Sequence, residues 1–139
     1  MNEGEQQAQM PSVEIRSTRG KRCFRLHDRD GDYFIATVEG DGLRGSKGVY
    51  SYTDGNHLVN LFRSIAKDWR GWEGERCWES IEGDLRIAIR SSRTGEITMR
   101  ITLQSEGGYD DWRLEAPIFT EAGQLESIAH QVALFFEST

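Results

Sequence analysis

Residues 96–103, Glu96-Ile97-Thr98-Met99-Arg100-Ile101-Thr102-Leu103, alternate without a break: Ile97, Met99, Ile101 and Leu103 fall on one side, Thr98, Arg100 and Thr102 on the other. A period of two sends the rows to opposite faces of a pleated strand, so the stretch predicts a strand buried on one side only, the habit of antiparallel sheet. Trp112, Leu114, Ala116 and Ile118 repeat the pattern within 111–119. Working outward, strand-like runs bounded by turn residues occupy 76–81 and 84–91 and, in the first half, 12–17, 22–27, 32–38 and 43–52.

Two segments change the period. Leu58, Leu61, Phe62, Ile65, Ala66 and Trp69 stand at relative positions 0, 3, 4, 7, 8 and 11, and Leu125, Ile128, Ala129, Val132, Ala133 and Phe136 stand at the same positions. Each set is one apolar stripe at 3.6 spacing and predicts a helix, over about 55–69 and 121–136. Thr53 or Asp54 is placed to cap the first, and Gly71 to end it. In both cases a threonine, Thr53 or Thr120, precedes the first apolar residue by five positions. With similar turns at Arg29-Asp30-Gly31-Asp32 and Arg93-Thr94-Gly95-Glu96, the chain reads as ββββα twice, the pattern of an internal duplication. The expected fold class is therefore α+β, an antiparallel sheet of six to eight strands with two helices on one face. Residues 1–11, polar and aperiodic up to Pro11, read as a disordered tail, and 12–139 as a single domain.

A chain of 139 residues buries roughly two thirds of its unfolded surface and needs no staples. Cys23 and Cys77 are too few for a disulfide framework and form no CxxC pair, so two buried free thiols in a reducing compartment are expected. With no secretory signal pattern and no apolar run of about 20 residues, the expected location is the cytoplasm, without a membrane partner. The net charge of −6 is uneven: residues 71–139 hold six basic and thirteen acidic side chains, residues 1–70 eleven and ten. A field of that sign repels phosphate, so nucleic acid is not the expected partner and a basic protein is favoured.

Motifs for chemistry are sparse. Asp28, Asp30 and Asp32 have the 1, 3, 5 spacing of a calcium loop with Glu39 at position 12, but Tyr33 stands where the loop needs glycine and 33–38 alternate as a strand. A hairpin turn at Asp30-Gly31 accounts for them. Gly40, Gly42, Gly45 and Gly48 lack the GxxxxGK[ST] pattern of a phosphate loop, and His27, His57 and His130 lie in three different elements. No catalytic, cofactor-binding or metal-binding set is assigned, and no cofactor is expected. Arg86, Arg90, Arg100 and Arg113, on outward strand positions with Glu115, read as cross-strand ion pairs.

The densest unusual segment is Trp69-Arg70-Gly71-Trp72-Glu73-Gly74-Glu75-Arg76-Cys77-Trp78-Glu79-Ser80-Ile81-Glu82-Gly83. Trp69, on the last stripe position, is expected in the core and Trp72, past the helix, partly exposed. Trp72, Glu73, Glu75, Trp78 and Glu79 form the candidate interaction site, since half-exposed indoles beside charges are typical hot spots. The run resembles W-x-G-W-x-G-x-x-x-W-x-S-x-E-G of an uncharacterised, largely actinobacterial family of domains of unknown function. The resemblance spans roughly 58–137; where those proteins often carry Gly-His-Val, this chain has Gly95-Glu96-Ile97. It implies a shared fold and no mechanism. The function expected is a non-catalytic protein-binding module, of inhibitor or immunity type, with oligomerisation left open. The alternatives are a small-molecule-binding domain lined by Trp72 or Trp78, and a small hydrolase using Glu79 and Glu82.

Overall fold

The structure, a computed structural model, describes residues 11–52, 54–106 and 109–137. The tail expected over 1–11 lies, except for Pro11, outside the described residues, as does a cap at Thr53. Four strands, β1 (Val13–Arg16), β2 (Cys23–Asp30), β3 (Tyr33–Gly40) and β4 (Leu43–Tyr50), lead into helix α1 (Asp54–Lys67). Four more, β5 (Glu75–Glu79), β6 (Leu85–Ser91), β7 (Glu96–Ser105) and β8 (Trp112–Glu121), lead through a 3₁₀ turn at Ala122–Gln124 into helix α2 (Leu125–Glu137). The ββββα pattern thus occurs twice.

Each run of four strands is its own antiparallel meander, ordered β1-β2-β3-β4 and β5-β6-β7-β8, so the single sheet expected from sequence is replaced by two. The reason is coverage. Eight strands at about 4.8 Å spacing would make a face of roughly 38 Å, and two helices of about 10 Å diameter cannot hide it. Split in two, the sheets turn their apolar faces into one core with the helices: Phe24, Leu26, Phe34 and Val38 from the first, Ile87, Ile89, Met99 and Ile101 from the second, Leu58, Phe62, Val132 and Phe135 from the helices. The helices pack against each other, α1 also meeting β5 and α2 meeting β1.

Local chemistry sets the strand ends. The β3–β4 hairpin turns on Asp41-Gly42, both at positive φ (56° and 79°), the Asp-Gly preference of a tight primed turn. The β2–β3 hairpin turns on Gly31-Asp32, with Asp30 paired to Tyr33, one residue past the expected centre. Gly40, at φ 122°, lies so close to the Lys21 carbonyl and Arg22 Cα that a side chain has no room.

The seam between halves is aromatic. Phe34 meets Phe135 and Phe136 edge to face, with ring centroids 5.9 and 5.4 Å apart. Leu58, Ile65, Leu125 and Val132 are fully buried as their stripes require, but at the end of α2 it is Phe135 that is inaccessible and Phe136 only half-buried. Phe136 turns instead over Gly55 at the start of α1, where the missing side chain makes space for its ring. Phe135→Ala is expected to cost about 3–5 kcal/mol in urea unfolding, and Phe136→Ala clearly less; equal losses would show that both rings serve the core alike.

Candidate functional site

The tryptophan-rich corner divides its side chains among three environments. Helix α1 ends at Lys67, where a turn closed by the Gly71 amide on the Asp68 carbonyl (2.8 Å) replaces it. Trp69 therefore leaves the stripe, and the expectation of a core position is overturned: it is 50% exposed, with the Arg70 guanidinium 4.7 Å over its ring. Trp72 is half-buried, its indole N–H donating to the Ile89 carbonyl (3.4 Å) and Arg76 lying over it at 5.0 Å. Arg76 is itself held by Asp68 at 2.7 Å. Trp78, at 7% exposure, is core. Beside Trp72 runs an open groove of about 300 Å³ edged by Arg70, Glu73 and Arg93.

The pleat of β5 separates the acidic candidates from the rings. Arg76 and Trp78 point inward, while Glu75, Cys77 and Glu79 lie on the exposed face. Glu75 pairs with Arg90 (3.3 Å), its register partner on β6, and with Arg86 (3.8 Å), which stands opposite Glu79, and Arg113 pairs with Glu115 at 3.6 Å. The cross-strand ion pairs expected for Arg86 and Arg90 are thus present, whereas Arg113 pairs with Glu115 along its own strand β8. The five candidates Trp72, Glu73, Glu75, Trp78 and Glu79 do not share one surface.

Cys23 is buried, whereas Cys77 is exposed, which corrects the expectation of two buried thiols. Cys77 donates to the Glu75 carboxylate at 3.3 Å. That hydrogen bond, then Arg90 and Arg86, hold the Glu75 carboxyl below its ordinary value, and desolvation opposes them. Desolvation, then Glu75, push the Cys77 thiol up, so little thiolate forms at neutral pH.

A second surface was not singled out by the sequence. Tyr33 and Tyr50, paired across β3 and β4, have ring centroids 5.1 Å apart; Tyr33 and Tyr52 are 59% and 65% exposed. The Ser51 amide and hydroxyl both donate to the Asp32 carbonyl (2.7 and 2.9 Å), which fixes the turn beside the rings. Lys47 on β4 reaches Asp84 at 3.5 Å, drawing in the β5–β6 turn with exposed Ile81 and Glu82. Partial burial pushes the Tyr50 phenol up, and Asp32, Tyr33, Tyr52 and Glu82 act in the same direction. Tyr33 is distant in sequence from Tyr50 and Tyr52, and only the β3–β4 register brings it to them, while the Lys47–Asp84 ion pair brings the β5–β6 turn to the same strand.

Asp28, Asp30 and Asp32 sit along β2 and its turn, while Glu39 is occupied by Arg25 and Arg44 at 3.3 and 3.7 Å. Among the described residues no group of three His, Cys, Asp or Glu is disposed to hold a metal ion, and no helix is long and apolar enough to cross a membrane.

Two measurements follow. Trp78→Ala is expected to cost about 3–5 kcal/mol and Trp69→Ala under about 1 kcal/mol, with Trp69 the more strongly quenched by acrylamide in single-tryptophan variants. Cys77 is expected to react slowly with iodoacetamide at pH 7 despite its exposure, and Glu75→Gln to speed it, because removing the carboxylate leaves Arg86 and Arg90 to favour thiolate. An unchanged rate in Glu75→Gln would show that the hydrogen bond does not govern the thiol.

Comparison with curated proteins and with solved structures returned no match. The model of DUF6228, a family of unknown function, matches residues 6–139, nearly the whole chain. The chain belongs to that family.

Proposed function

We propose that the chain is a protein-binding module that docks a basic partner on its tyrosine-rich end. The observation that carries this reading is the gathering of Tyr33, Tyr50 and Tyr52 with Asp32 and Glu82 beside them, Tyr33 and Tyr52 well exposed. Tyrosine supplies contact area at small entropic cost and dominates interface hot spots, and its ring face attracts guanidinium and ammonium groups. The carboxylates beside the rings and the net charge of −6 select a cationic counterpart. An inhibitor of a basic effector, of the immunity type and acting in the cytoplasm, is the form of the proposal that this charge favours. A small-molecule-binding role has one observation in its support, the groove beside Trp72 flanked by Arg70 and Arg93.

A photo-crosslinking residue at Tyr52 is expected to trap one basic protein in living cells, and the same residue at Trp69 to trap none of it. In the purified complex, Tyr33→Ala and Tyr52→Ala should each weaken binding about tenfold or more. Equal trapping at both positions, or affinities unchanged in both variants, would move the docking surface elsewhere.

A further inference from the structure

The outer face of the first sheet carries a continuous chain of side-chain hydrogen bonds that the docking surface does not use. Asp28 Oδ2 lies 2.6 Å from His27 Nδ1, His27 Nε2 lies 2.7 Å from Thr37 Oγ1, and Thr37 Oγ1 lies 2.5 Å from Ser46 Oγ. The register builds it: Thr37 stands opposite Ser46 on β4, and His27, opposite Ile35, is a diagonal neighbour of Thr37. Asp28 is held there by a bulge, where the β2–β3 register shifts between His27 and Asp30. Its backbone is left-handed, at φ 53°, a conformation uncommon outside glycine.

Elementary donor counting gives the chain a direction. A carboxylate only accepts, so Nδ1 of the imidazole carries the proton, and in the neutral ring Nε2 is then an acceptor. Thr37 must donate to Nε2, and its oxygen in turn accepts the Ser46 proton. The hydrogens run from Ser46 to Thr37 to His27 to Asp28. Burial is deepest in the middle of the chain: Thr37 is 2% exposed and the His27 side chain 17%, whereas Ser46 at one end and the Asp28 side chain at the other, 63%, are exposed. The Ser46 proton is thus committed inward, while its oxygen lone pairs face solvent. Gly48, two residues along the same face of β4, leaves open space beside it, since even a Cβ there would touch nothing within 4 Å.

A network of this kind on a solvated sheet can be purely structural, with hydroxyls satisfying one another. What points further is a carboxylate-oriented imidazole base whose relay ends on an accessible hydroxyl, the arrangement that activates serine nucleophiles lengthened by one hydroxyl, Thr37, between base and nucleophile.

We propose that Ser46 is a reactive nucleophile, activated through Thr37 by the His27–Asp28 pair, that accepts an acyl group from an activated ester. In the step, the Ser46 oxygen bonds to the acyl carbon as its proton passes to Thr37 and the Thr37 proton passes to His27 Nε2. The tetrahedral adduct then collapses, the bond from carbon to the leaving oxygen breaks, and that oxygen leaves with the electron pair. His27 returns its proton to the leaving group or to solvent. The product is an O-acylated Ser46. Thr37 acts as a positioning residue between base and nucleophile.

The test uses the full chain with p-nitrophenyl acetate as acyl donor and peptide mass mapping to follow acetylation of Ser46. The wild type is expected to be acetylated at Ser46, and Ser46→Ala to lose that adduct with its circular dichroism unchanged. Thr37→Val, close in size and suited to a strand, should slow Ser46 acetylation about 10²-fold, and so should His27→Gln, whereas Thr37→Ser should retain it. If Thr37→Val does not fold, Asp28→Asn, which tolerates the same left-handed backbone, carries the comparison, and a slowing there supports the relay. Absence of Ser46 acetylation in the wild type, or equal rates in the wild type and in the folded relay variants, would overturn the proposal. The outcome is independent of the docking surface, which none of these substitutions touches.

Discussion

Phe34 of the first sheet packs against Phe135 of the second half's helix, both rings fully buried, and at that contact the two halves of the chain become one core. Neither half can hide its apolar face alone. A four-stranded meander with one helix leaves part of its inner surface in water, and water exposure of rows such as Ile97, Met99, Ile101 and Leu103 costs about 25 cal/mol for each Å². Sharing one interior removes that cost for both. The remaining architecture follows: two sheets rather than one, helices packed on each other, and four edge strands, β1, β4, β5 and β8.

The joints between halves are correspondingly specific. Thr18 donates its amide to the Phe119 carbonyl (2.9 Å), the Phe119 amide donates to Ser17 Oγ (3.1 Å), and Arg19 lies over the Phe119 ring at 4.5 Å, so the segment after β1 is tied to β8. On the other side Gly45 of β4 admits the Leu114 side chain, and Lys47 reaches Asp84. These contacts fix how the outer faces are presented. One carries the Glu75, Arg86 and Arg90 ion pairs, the other the run from Asp28 to Ser46, and the tyrosines gather where a turn from each half meets β4.

Much of the fold was legible because it rests on periodicity. All eight strands and both helices fall close to their sequence positions, since alternation and the 3.6 stripe report which side of an element faces the core. Among the apolar stripes the misplaced residues come at helix ends. Trp69 satisfies the helical spacing but follows the last helical residue by two, and periodicity carries no signal for where hydrogen bonding stops. Phe135 and Phe136 exchange roles because Gly55 opens a space that depends on how the helices cross. The candidate site was legible in composition only: a cluster of tryptophans and glutamates in sequence is divided by the pleat of β5 into inward rings and outward carboxylates.

The sequence by itself determined the element order, the antiparallel meanders, the repeated ββββα pattern and the stripes that form the core, because each depends on spacing along one segment. Only the tertiary structure decided that the strands divide into two sheets, that Tyr33, Tyr50 and Tyr52 gather with Glu82 of the other half beside them, and that His27 stands between Asp28 and Thr37. The physical reason is the same in each case. Register and sheet packing join residues through the free energy of burying two surfaces together, and a pairing between distant surfaces leaves no period in either one.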